Sequence, residues 1–156
     1  MGENAGGKVC LPQYRTAEFL GNQKDYPLML ITYHPLLNVE NGNQNYPWAQ
    51  EIFLVMHGYG WTNFVEINSS TAKGMKIKDG DDVWVESSFS KIKVKARVFE
   101  GIHPNVVAVA SGEGHTACGR WAKGIGVNPN DIIGVDYDDI SGQSAYFNTR
   151  VKVYKA

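Results

Sequence analysis

Two loop segments of the sequence concentrate side chains that could bind a ligand. The first, HPLLNVENGNQNYPW, spans residues 34–48 directly after an apolar run and is crowded with Asn38, Asn41, Asn43 and further amides. Amide side chains offer a donor and an acceptor together, which suits the edges of purine-like or pterin-like rings. The alternative is a polar loop whose Asn side chains bond their own backbone. The segment therefore indicates either a neutral ligand-binding surface or a turn-rich connection.

The second segment is glycine-rich and spans residues 111–126. Its spacing from Gly114 to Gly119 imitates part of a P-loop, but Arg120 and Trp121 stand where Lys and Ser or Thr are needed to hold phosphate and magnesium. This substitution argues against a nucleotide triphosphatase. If the segment binds a ligand, the ligand is therefore of another kind.

Metal chemistry has little support in the sequence. Asp79, Asp81 and Asp82 lie close together, but their spacing lacks the run of ligands of an EF-hand-like loop, and Asp is common at turns. Cys10 and Cys118 are the only two cysteines and form no CxxC, which argues against zinc-ribbon and iron–sulfur sites. We therefore expect no metal ligand in the chain, and a buried, inert thiol at Cys118.

Length and charge limit the class of protein further. The 156 residues are 43% hydrophobic, which is enough for one compact domain with its own core. The formal net charge of -1 offers no basic face for nucleic acid, and no apolar run approaches the roughly 18 residues of a membrane span. The N-terminal residues lack the basic start and apolar stretch of a signal peptide. We therefore expect a cytoplasmic protein, with export together with a partner left open.

Short strands must position the two loops. The run PLMLITY, bounded by Pro27 and Pro35, predicts a buried first strand, and residues 64–67 and 106–110 predict two more. Between the last two, Asn68 or Ser69 caps one short predicted helix that ends near residue 74. No long helix is expected.

A hairpin and a final strand complete the predicted elements. Residues 83–85 and 92–98 alternate apolar and polar side chains, which predicts two half-buried strands paired through a polar connector at residues 87–91. Asp79, Gly80 and Asp81 supply the turn chemistry that precedes them. Residues 151–155 alternate in the same way. The sequence thus predicts a strand-rich fold.

In this order, the motifs resemble the C-terminal molybdopterin dinucleotide-binding domain of the dimethyl sulfoxide reductase and formate dehydrogenase superfamily. The resemblance runs from YPLMLIT through NYPW, FVEINSSTAKGMKIKDGDDVWVES, IKVKARVFEGIHPNVVAVA and GHTACGRWAKGIGVNPNDII to DISGQSAYFNTRVKVYK. In the block 67–81, relatives commonly show hydrophobic-Asn-Pro-x-Asp-Ala and then Gly-Ile-x-Asp-Gly-Asp; here Ser69 and Thr71 replace the Pro and the acid. The glycine-rich segment most resembles the polysulfide and thiosulfate reductase branch.

The resemblance implies a fold and a division of the chain. The fold is mainly β, a six-stranded double-psi β-barrel of the aspartate decarboxylase-like type with short helices. Residues 1–25 are expected to be an irregular N-terminal lead-in, and residues 26–156 the dinucleotide-binding barrel. In such barrels the Asp-Gly-Asp turn lets the chain re-enter the barrel after the short helix, so the turn is structural and the ligand lies at other loop ends.

The resemblance also implies a cofactor, molybdopterin guanine dinucleotide, and the residues that contact it. Asn68 and Asn128 have an alternative role, because each could simply form a helix cap or turn. His115 has the alternative of a satisfied surface residue. In the glycine-rich segment, glycines allow close backbone approach while His and Thr donate to phosphate or pterin. The implied contacts are Tyr33, His34, Asn38, Asn41, Asn43, Asn68, Gly112, Gly114, His115, Thr116, Asn128 and Asn148.

Catalysis is expected to lie outside this chain. By the resemblance, the ligand to molybdenum or tungsten and the iron–sulfur clusters belong to a large catalytic molybdopterin oxidoreductase subunit or domain, and this chain grips the organic part of the cofactor. A second hypothesis is a double-psi barrel that has lost its ligand and serves as an assembly module. A third, a self-processing decarboxylase, needs a Gly-Ser dipeptide that the chain lacks. We also expect Pro47 and Trp48 to anchor the Asn-rich loop on the barrel.

Overall fold

Six strands and two α-helices make up the protein in the computed structural model, which describes residues 14, 16–38, 42–117, 119–138 and 141–156. The strands are β1 (Leu28–Tyr33), β2 (Phe64–Ile67), β3 (Asp82–Glu86), β4 (Lys91–Val98), β5 (Val106–Ala110) and β6 (Arg150–Lys155). The helices are α1 (Pro47–His57) and α2 (Ser69–Gly74), and a 3₁₀-helix spans Pro129–Ile132. Within these described residues, no helix is both long and apolar enough to cross a membrane.

The strands close into one barrel in the order β1-β5-β2-β4-β3-β6. Two of the pairs are parallel, β1 with β5 and β2 with β4, and the remaining pairs are antiparallel. The predicted strand-rich fold and the predicted six-stranded double-psi barrel are both confirmed. Closure removes the free sheet edges that an open sheet of this size would expose.

Alternating side chains fill the barrel, as the period-two pattern predicts. In the β3–β4 hairpin, Val83 pairs with Val94 and Val85 with Ile92, and all four are buried. The connector turns at Ser87, whose backbone N–H donates to the Ser90 carbonyl at 2.9 Å. Side chains of the other strands meet these four in one apolar cluster, which includes Leu28, Leu30, Val65, Ile67, Val107, Val109, Val151 and Val153.

The aspartate-rich turn before β3 is held by its own carboxylates. Asp79 Oδ1 accepts from the backbone N–H of Val98 at 2.8 Å, and Asp81 Oδ2 accepts from that of Lys78 at 2.8 Å. Asp82 pairs with Lys95 at 2.7 Å. Each carboxylate therefore has a structural partner, in agreement with the prediction that this turn lets the chain re-enter the barrel.

Helix α1 was not anticipated from the sequence. It begins with Pro47 and is followed by Gly58, whose φ of 76° is the left-handed conformation common after helix ends. Its buried side chains are Ala49, Gln50 and Phe53. The prediction that Trp48 anchors the loop is wrong, because Trp48 is 55% exposed.

Candidate functional site

The two predicted loops begin side by side at one end of the barrel. Because β1 and β5 are parallel neighbours, Tyr33 and Ala110 pair at their carboxyl ends, and the chain leaves both strands in the same direction. Ser111 joins the loops, since its backbone N–H and its Oγ each donate to the Tyr33 carbonyl at 2.9 Å. We call this the site end of the barrel. His34 follows Tyr33 directly and is exposed there.

Asn38 holds the first loop against the second. Its side chain is 2% exposed, and Nδ2 donates to the Ser111 carbonyl at 2.8 Å. Its Oδ1 is buried and has no hydrogen-bond partner among the described residues. Asn43 acts inside its own loop, donating to the Leu37 carbonyl at 2.7 Å. Asn41, the remaining predicted contact of this loop, lies outside the described residues, as do Cys10 and Cys118.

Gly112 lies where no side chain could be accommodated. Its φ is 114°, and a Cβ added there would overlap the side-chain amides of Asn38 and Gln44. Gln44 is 1% exposed, and neither atom of its amide has a hydrogen-bond partner within the part of the chain that the structure describes. Two buried amides thus pack against this glycine, and three of their four polar atoms have no hydrogen-bond partner among the described residues.

Gly114 makes a second close backbone approach. Its φ is 94°, and an added Cβ would overlap the backbone of Val127 and Asn128. Asn128 itself is exposed, and its Oδ1 accepts from the backbone N–H of Asn130 at 3.1 Å, so it caps the 3₁₀-helix. The structure therefore brings the backbone of Asn128 directly against the glycine-rich loop.

His115 and Thr116 complete the predicted contacts of the glycine-rich loop. The His115 ring folds back over its own loop, with Nε2 donating to the Gly112 carbonyl at 3.1 Å. It is half-buried, whereas Thr116 is exposed. The backbone N–H of Gly114 donates to the Ile125 carbonyl and that of Gly124 to the His115 carbonyl, each at 2.8 Å. These two backbone hydrogen bonds hold the two sides of the loop together in a hairpin-like conformation.

Asn63, which precedes β2, was not a predicted site residue, yet it ties this end together. It is 2% exposed. Its Nδ2 donates to the Ala110 carbonyl at 2.8 Å, and its Oδ1 accepts from the backbone N–H of Val127 at 2.6 Å. One amide thereby joins the end of β5 to the segment that leads to Asn128. A single buried Asn before a strand gives no sequence signal that could have identified it.

Gln50 and Glu113 form a further unpredicted link, from helix α1 to the glycine-rich loop. Gln50 Nε2 donates to Glu113 Oε1 at 2.6 Å and to the Gln44 carbonyl at 3.3 Å, while Gln50 Oε1 accepts from the Trp61 backbone N–H at 3.1 Å. Glu113 Oε2 is buried without a partner among the described residues. Burial raises the pKa of the Glu113 carboxyl, against the opposing effects of Gln50 and His115.

Tyr33 is committed to a different network on the outer face of the barrel. Its hydroxyl donates to Glu66 Oε1 at 3.0 Å, and Arg97 Nη1 donates to the same oxygen at 2.8 Å. Burial, followed by the charge of Glu66, raises the pKa of the Tyr33 hydroxyl far above its ordinary value. The small side chains of β5 between these strands leave the hydroxyl a path to Glu66. The Tyr33 hydroxyl is therefore engaged with Glu66 in this structure, and its role as a cofactor contact stays a prediction.

An open cleft lies between the glycine-rich loop and the start of the 3₁₀-helix. It encloses about 160 Å³ and is lined by residues 111–115 together with Asn128 and Asn130. A second cleft of about 230 Å³ shares Asn130 and continues along residues 133–136 and 144–146. Each volume is below the roughly 300–1,000 Å³ of a pocket that encloses a whole small molecule. The two clefts can hold part of a long ligand and leave the rest of it open to another surface.

Gly112, Gly114, His115 and Asn128 line the first cleft, whereas Asn68 and Asn148 are among the predicted residues that do not. Asn68 follows β2, whose carboxyl end pairs with the start of β5, so it lies at the opposite end of the barrel. Its Oδ1 accepts from the Ser70 backbone N–H at 3.0 Å and its Nδ2 donates to the Ile102 carbonyl at 2.8 Å. Asn148 donates to Asp136 beside the second cleft, and its Oδ1 is buried without a partner among the described residues.

Comparison with known proteins assigns the family. The sequence profile of the Molydopterin dinucleotide binding domain matches residues 28–150, which is most of the chain and includes both loops of the site end. The chain belongs to this family. Membership confirms the resemblance seen in the sequence and identifies molybdopterin dinucleotide as the cofactor that the family binds.

Three curated relatives of this domain are molybdopterin-containing subunits of reductases. It is 34% identical over 158 residues to the arsenate respiratory reductase molybdopterin-containing subunit of Shewanella sp. strain ANA-3, covering 96% of this chain and 18% of that subunit. The corresponding subunit of Chrysiogenes arsenatis is 35% identical over 164 residues, with coverage of 99% and 19%. A thiosulfate reductase molybdopterin-containing subunit of Salmonella typhimurium is 30% identical over 100 residues, with 67% and 15%. The domain thus spans about a fifth of the arsenate reductase subunits.

A solved structure supports the fold. Acetylene hydratase from Pelobacter acetylenicus superposes with a TM-score of 0.68 at 17% identity, covering 94% of this chain and 21% of that one. The likeness extends over nearly the whole domain, so the double-psi barrel and its loops have a counterpart in a much longer protein.

The residues of the site end fit the family's cofactor. Asn38 and Gln44 carry buried amide atoms without partners among the described residues, and Gly112 and Gly114 let the loop backbone pack where an added Cβ would overlap neighbouring atoms. Such groups suit a neutral, hydrogen-bonding heterocycle joined to phosphates. Among all the residues that the structure describes, no group of three or more His, Cys, Asp or Glu side chains is placed to hold a metal ion.

Proposed function

We propose that this domain holds the organic part of molybdopterin guanine dinucleotide within a larger molybdenum or tungsten oxidoreductase. The metal ligand and the iron–sulfur clusters belong to a catalytic region, which covers the open side of the cleft. The relatives support this division, because the domain spans only 18% and 19% of the two arsenate reductase subunits. The expected cytoplasmic location, with export together with a partner as its alternative, stays a prediction.

The observation that carries the proposal is the convergence of two loops on unpartnered amides and tight glycines at the site end. A barrel that only served assembly would gain stability by pairing or replacing such buried groups. Asn38, Gln44 and Glu113 all keep a buried polar atom that has no partner within the described part of the chain. Buried groups in this state favour a ligand-binding role over a purely structural one.

In the proposed complex, different residues serve different parts of the ligand. When bound, the cofactor supplies the dithiolene that carries the metal. His34, His115, Thr116 and backbone N–H groups of the glycine-rich loop donate to its pyrophosphate. The amides of Asn128, in the lining of the cleft, and of Asn38 and Asn43, in the neighbouring loop, would hydrogen-bond to its heterocycles, and Gly112 and Gly114 would let the backbone come close. Asn41, Asn68 and Asn148 remain proposed contacts, with Asn148 beside the second cleft.

The test is cofactor content in the intact oxidoreductase. We expect His115→Ala and Asn128→Ala to lower the guanine nucleotide released on acid treatment, together with bound molybdenum or tungsten, by about tenfold, which corresponds to about 1.4 kcal/mol. The matched control is His103→Ala, because His103 is exposed near the start of β5, away from the site end. Chromatography of the released nucleotide and elemental analysis of the metal provide the two readings.

Two outcomes would contradict the proposal. If the native complex contains the dinucleotide and His115→Ala and Asn128→Ala keep as much of it as the control does, the site has been placed on the wrong residues. If the complex assembles without any dinucleotide, the domain acts as an assembly module. Calorimetry adds a quantitative check. If this domain and the catalytic region each contribute part of the cofactor site, the isolated domain should bind the dinucleotide at least about tenfold more weakly than the domain with its catalytic region.

A further inference from the structure

Helix α1 has a second apolar face, which points away from the barrel. Trp48, Ile52, Val55 and Met56 follow the spacing i, i+4, i+7, i+8, which places them on one side of a helix. Their exposed fractions are 55%, 40%, 86% and 46%. We call these four residues the outer stripe. Tyr46 extends it, since its ring stacks on Trp48 with centroids 6.0 Å apart.

The outer stripe is poorly suited to water. The only ionisable residues of α1 are Glu51 and His57. Glu51 accepts from Trp61 Nε1 at 2.8 Å, and His57 stacks between Phe53 and Phe64, with centroid distances of 5.9 and 5.8 Å. Glu51, three residues after Trp48 and four before Val55, borders the stripe, and the four residues of the stripe carry no ionisable group. Contiguous exposed apolar side chains of this kind mark a surface that another apolar surface covers.

The inner face of the same helix is connected to the cofactor loop. Gln50 on that face donates to Glu113 at 2.6 Å, and Glu113 lies between Gly112 and Gly114 in the lining of the cleft. Anything that fixes α1 from outside therefore also fixes the loop through Gln50. The outer stripe has no Lys or Arg, so it offers an anionic lipid surface or a nucleic acid no electrostatic attraction.

We propose that the outer stripe docks on an apolar surface of the catalytic region of the oxidoreductase, and that this contact holds the Gln50–Glu113 link in place behind the cofactor cleft. The inference rests on the proposed function, and it names the surface through which the domain meets its larger partner. The arsenate reductase subunits supply the argument for the occupant, because more than four-fifths of their length lies outside this domain.

Radical footprinting of the intact oxidoreductase tests the contact. Trp48 and Phe89 are each 55% exposed in the domain, and Phe89 lies in the β3–β4 connector, away from α1. With each rate divided by that of the urea-unfolded protein, we expect Trp48 to be modified at least about fivefold more slowly than Phe89. Equal normalised rates would overturn the proposal.

Substitution provides the second arm. Val55 is 86% exposed, so Val55→Asp should leave the domain folded while placing a charge in the contact; Phe89→Asp is its control. We expect Val55→Asp to raise the modification of Trp48 at least about threefold in the intact protein, and Phe89→Asp to leave it unchanged. If protection of Trp48 instead rises with protein concentration, the stripe binds a second copy and the proposal is wrong.

Cofactor content, measured on the same samples, separates this inference from the proposed function. Protection of Trp48 in a protein that contains no guanine nucleotide would support docking while contradicting the cofactor role. Full cofactor content in a protein whose Trp48 is as reactive as Phe89 would support the cofactor role and contradict the docking proposal. Loss of both protection and cofactor in Val55→Asp alone would support docking and its transmission through Gln50.

Discussion

The two ends of the barrel use the same residue types for different purposes. At the end away from the cleft, Asn68 caps α2, and both of its amide atoms have partners. At the site end, Asn38 and Gln44 are as deeply buried, yet three of their four amide atoms lack a partner among the described residues. A buried polar atom without a partner is costly, so it persists where a ligand or a moving group can use it. Hydrogen-bond satisfaction, and not residue type, therefore separates Asn38 and Gln44 at the site end from Asn68 at the opposite end.

The largest expected effect would break the site end at a glycine that lies directly against backbone atoms. Gly114→Ala should lower the free energy of unfolding by about 3 kcal/mol or more, because the new Cβ meets backbone atoms and the φ of 94° disfavours an L side chain. Urea unfolding measures the change.

Gly124→Ala isolates the backbone contribution of that effect. Gly124 has a φ of 77°, but nothing lies within 4 Å of its added Cβ, so a cost of about 1 kcal/mol is expected. Equal losses for Gly114→Ala and Gly124→Ala would show that the close approach at Gly114 contributes nothing.

The two buried glutamines sharpen the comparison. Gln50 and Gln44 are each 1% exposed, but Gln50 makes three hydrogen bonds and the amide of Gln44 makes none to the described residues. Gln50→Met should cost about 2–3 kcal/mol, while Gln44→Met should be neutral or stabilising by up to about 1 kcal/mol. Thermal unfolding of the two variants decides between them, and a large loss for Gln44→Met would mean that its amide is satisfied.

A third pair compares the capping asparagines of the two ends. Asn68→Ala removes the cap of α2 and leaves the Ile102 carbonyl unpaired, so we expect a loss of about 2 kcal/mol. Asn128→Ala removes one exposed cap bond and should cost about 0.5–1 kcal/mol. Urea midpoints give both values. A larger cost at Asn128 would make its role structural and weaken its use in the cofactor test.

The smallest effect concerns the pH dependence that Glu113 imposes on stability. Burial raises the pKa of this carboxyl above its ordinary 4.5, so the folded protein favours the protonated form. Its contribution is full below pH 4.5 and is lost as the pH rises through the raised value. Glu113→Gln keeps an acceptor for Gln50 and cannot ionise. We therefore expect the variant to gain stability relative to the wild type across that window, and parallel stability curves would contradict this.

Local features of the fold followed from the sequence. The alternation of residues 83–85 and 92–98 predicted the β3–β4 hairpin, and the apolar run before Tyr33 predicted β1. The cap at Asn68 was also anticipated, as one of two alternatives. The sequence pattern does not indicate helix α1, although Pro47 and Gly58 flank it, because the many amides before it are typical of a loop. Each successful prediction depends on contacts within a few residues or on a short repeat of side-chain polarity.

The sequence by itself therefore determined the strands, the short helix, the aspartate turn and, through its ordered motifs, the family. Only the tertiary structure decided which polar residues meet. Gln50 reaches Glu113 across 63 positions, Asn38 reaches Ser111 across 73 and Asn63 reaches Val127 across 64. No local pattern reports such pairings, because they arise when the parallel pairing of β1 with β5 brings two distant loops to one end of the barrel. The physical reason is that strand patterns depend on neighbours in sequence, whereas satisfaction of a buried amide depends on neighbours in space.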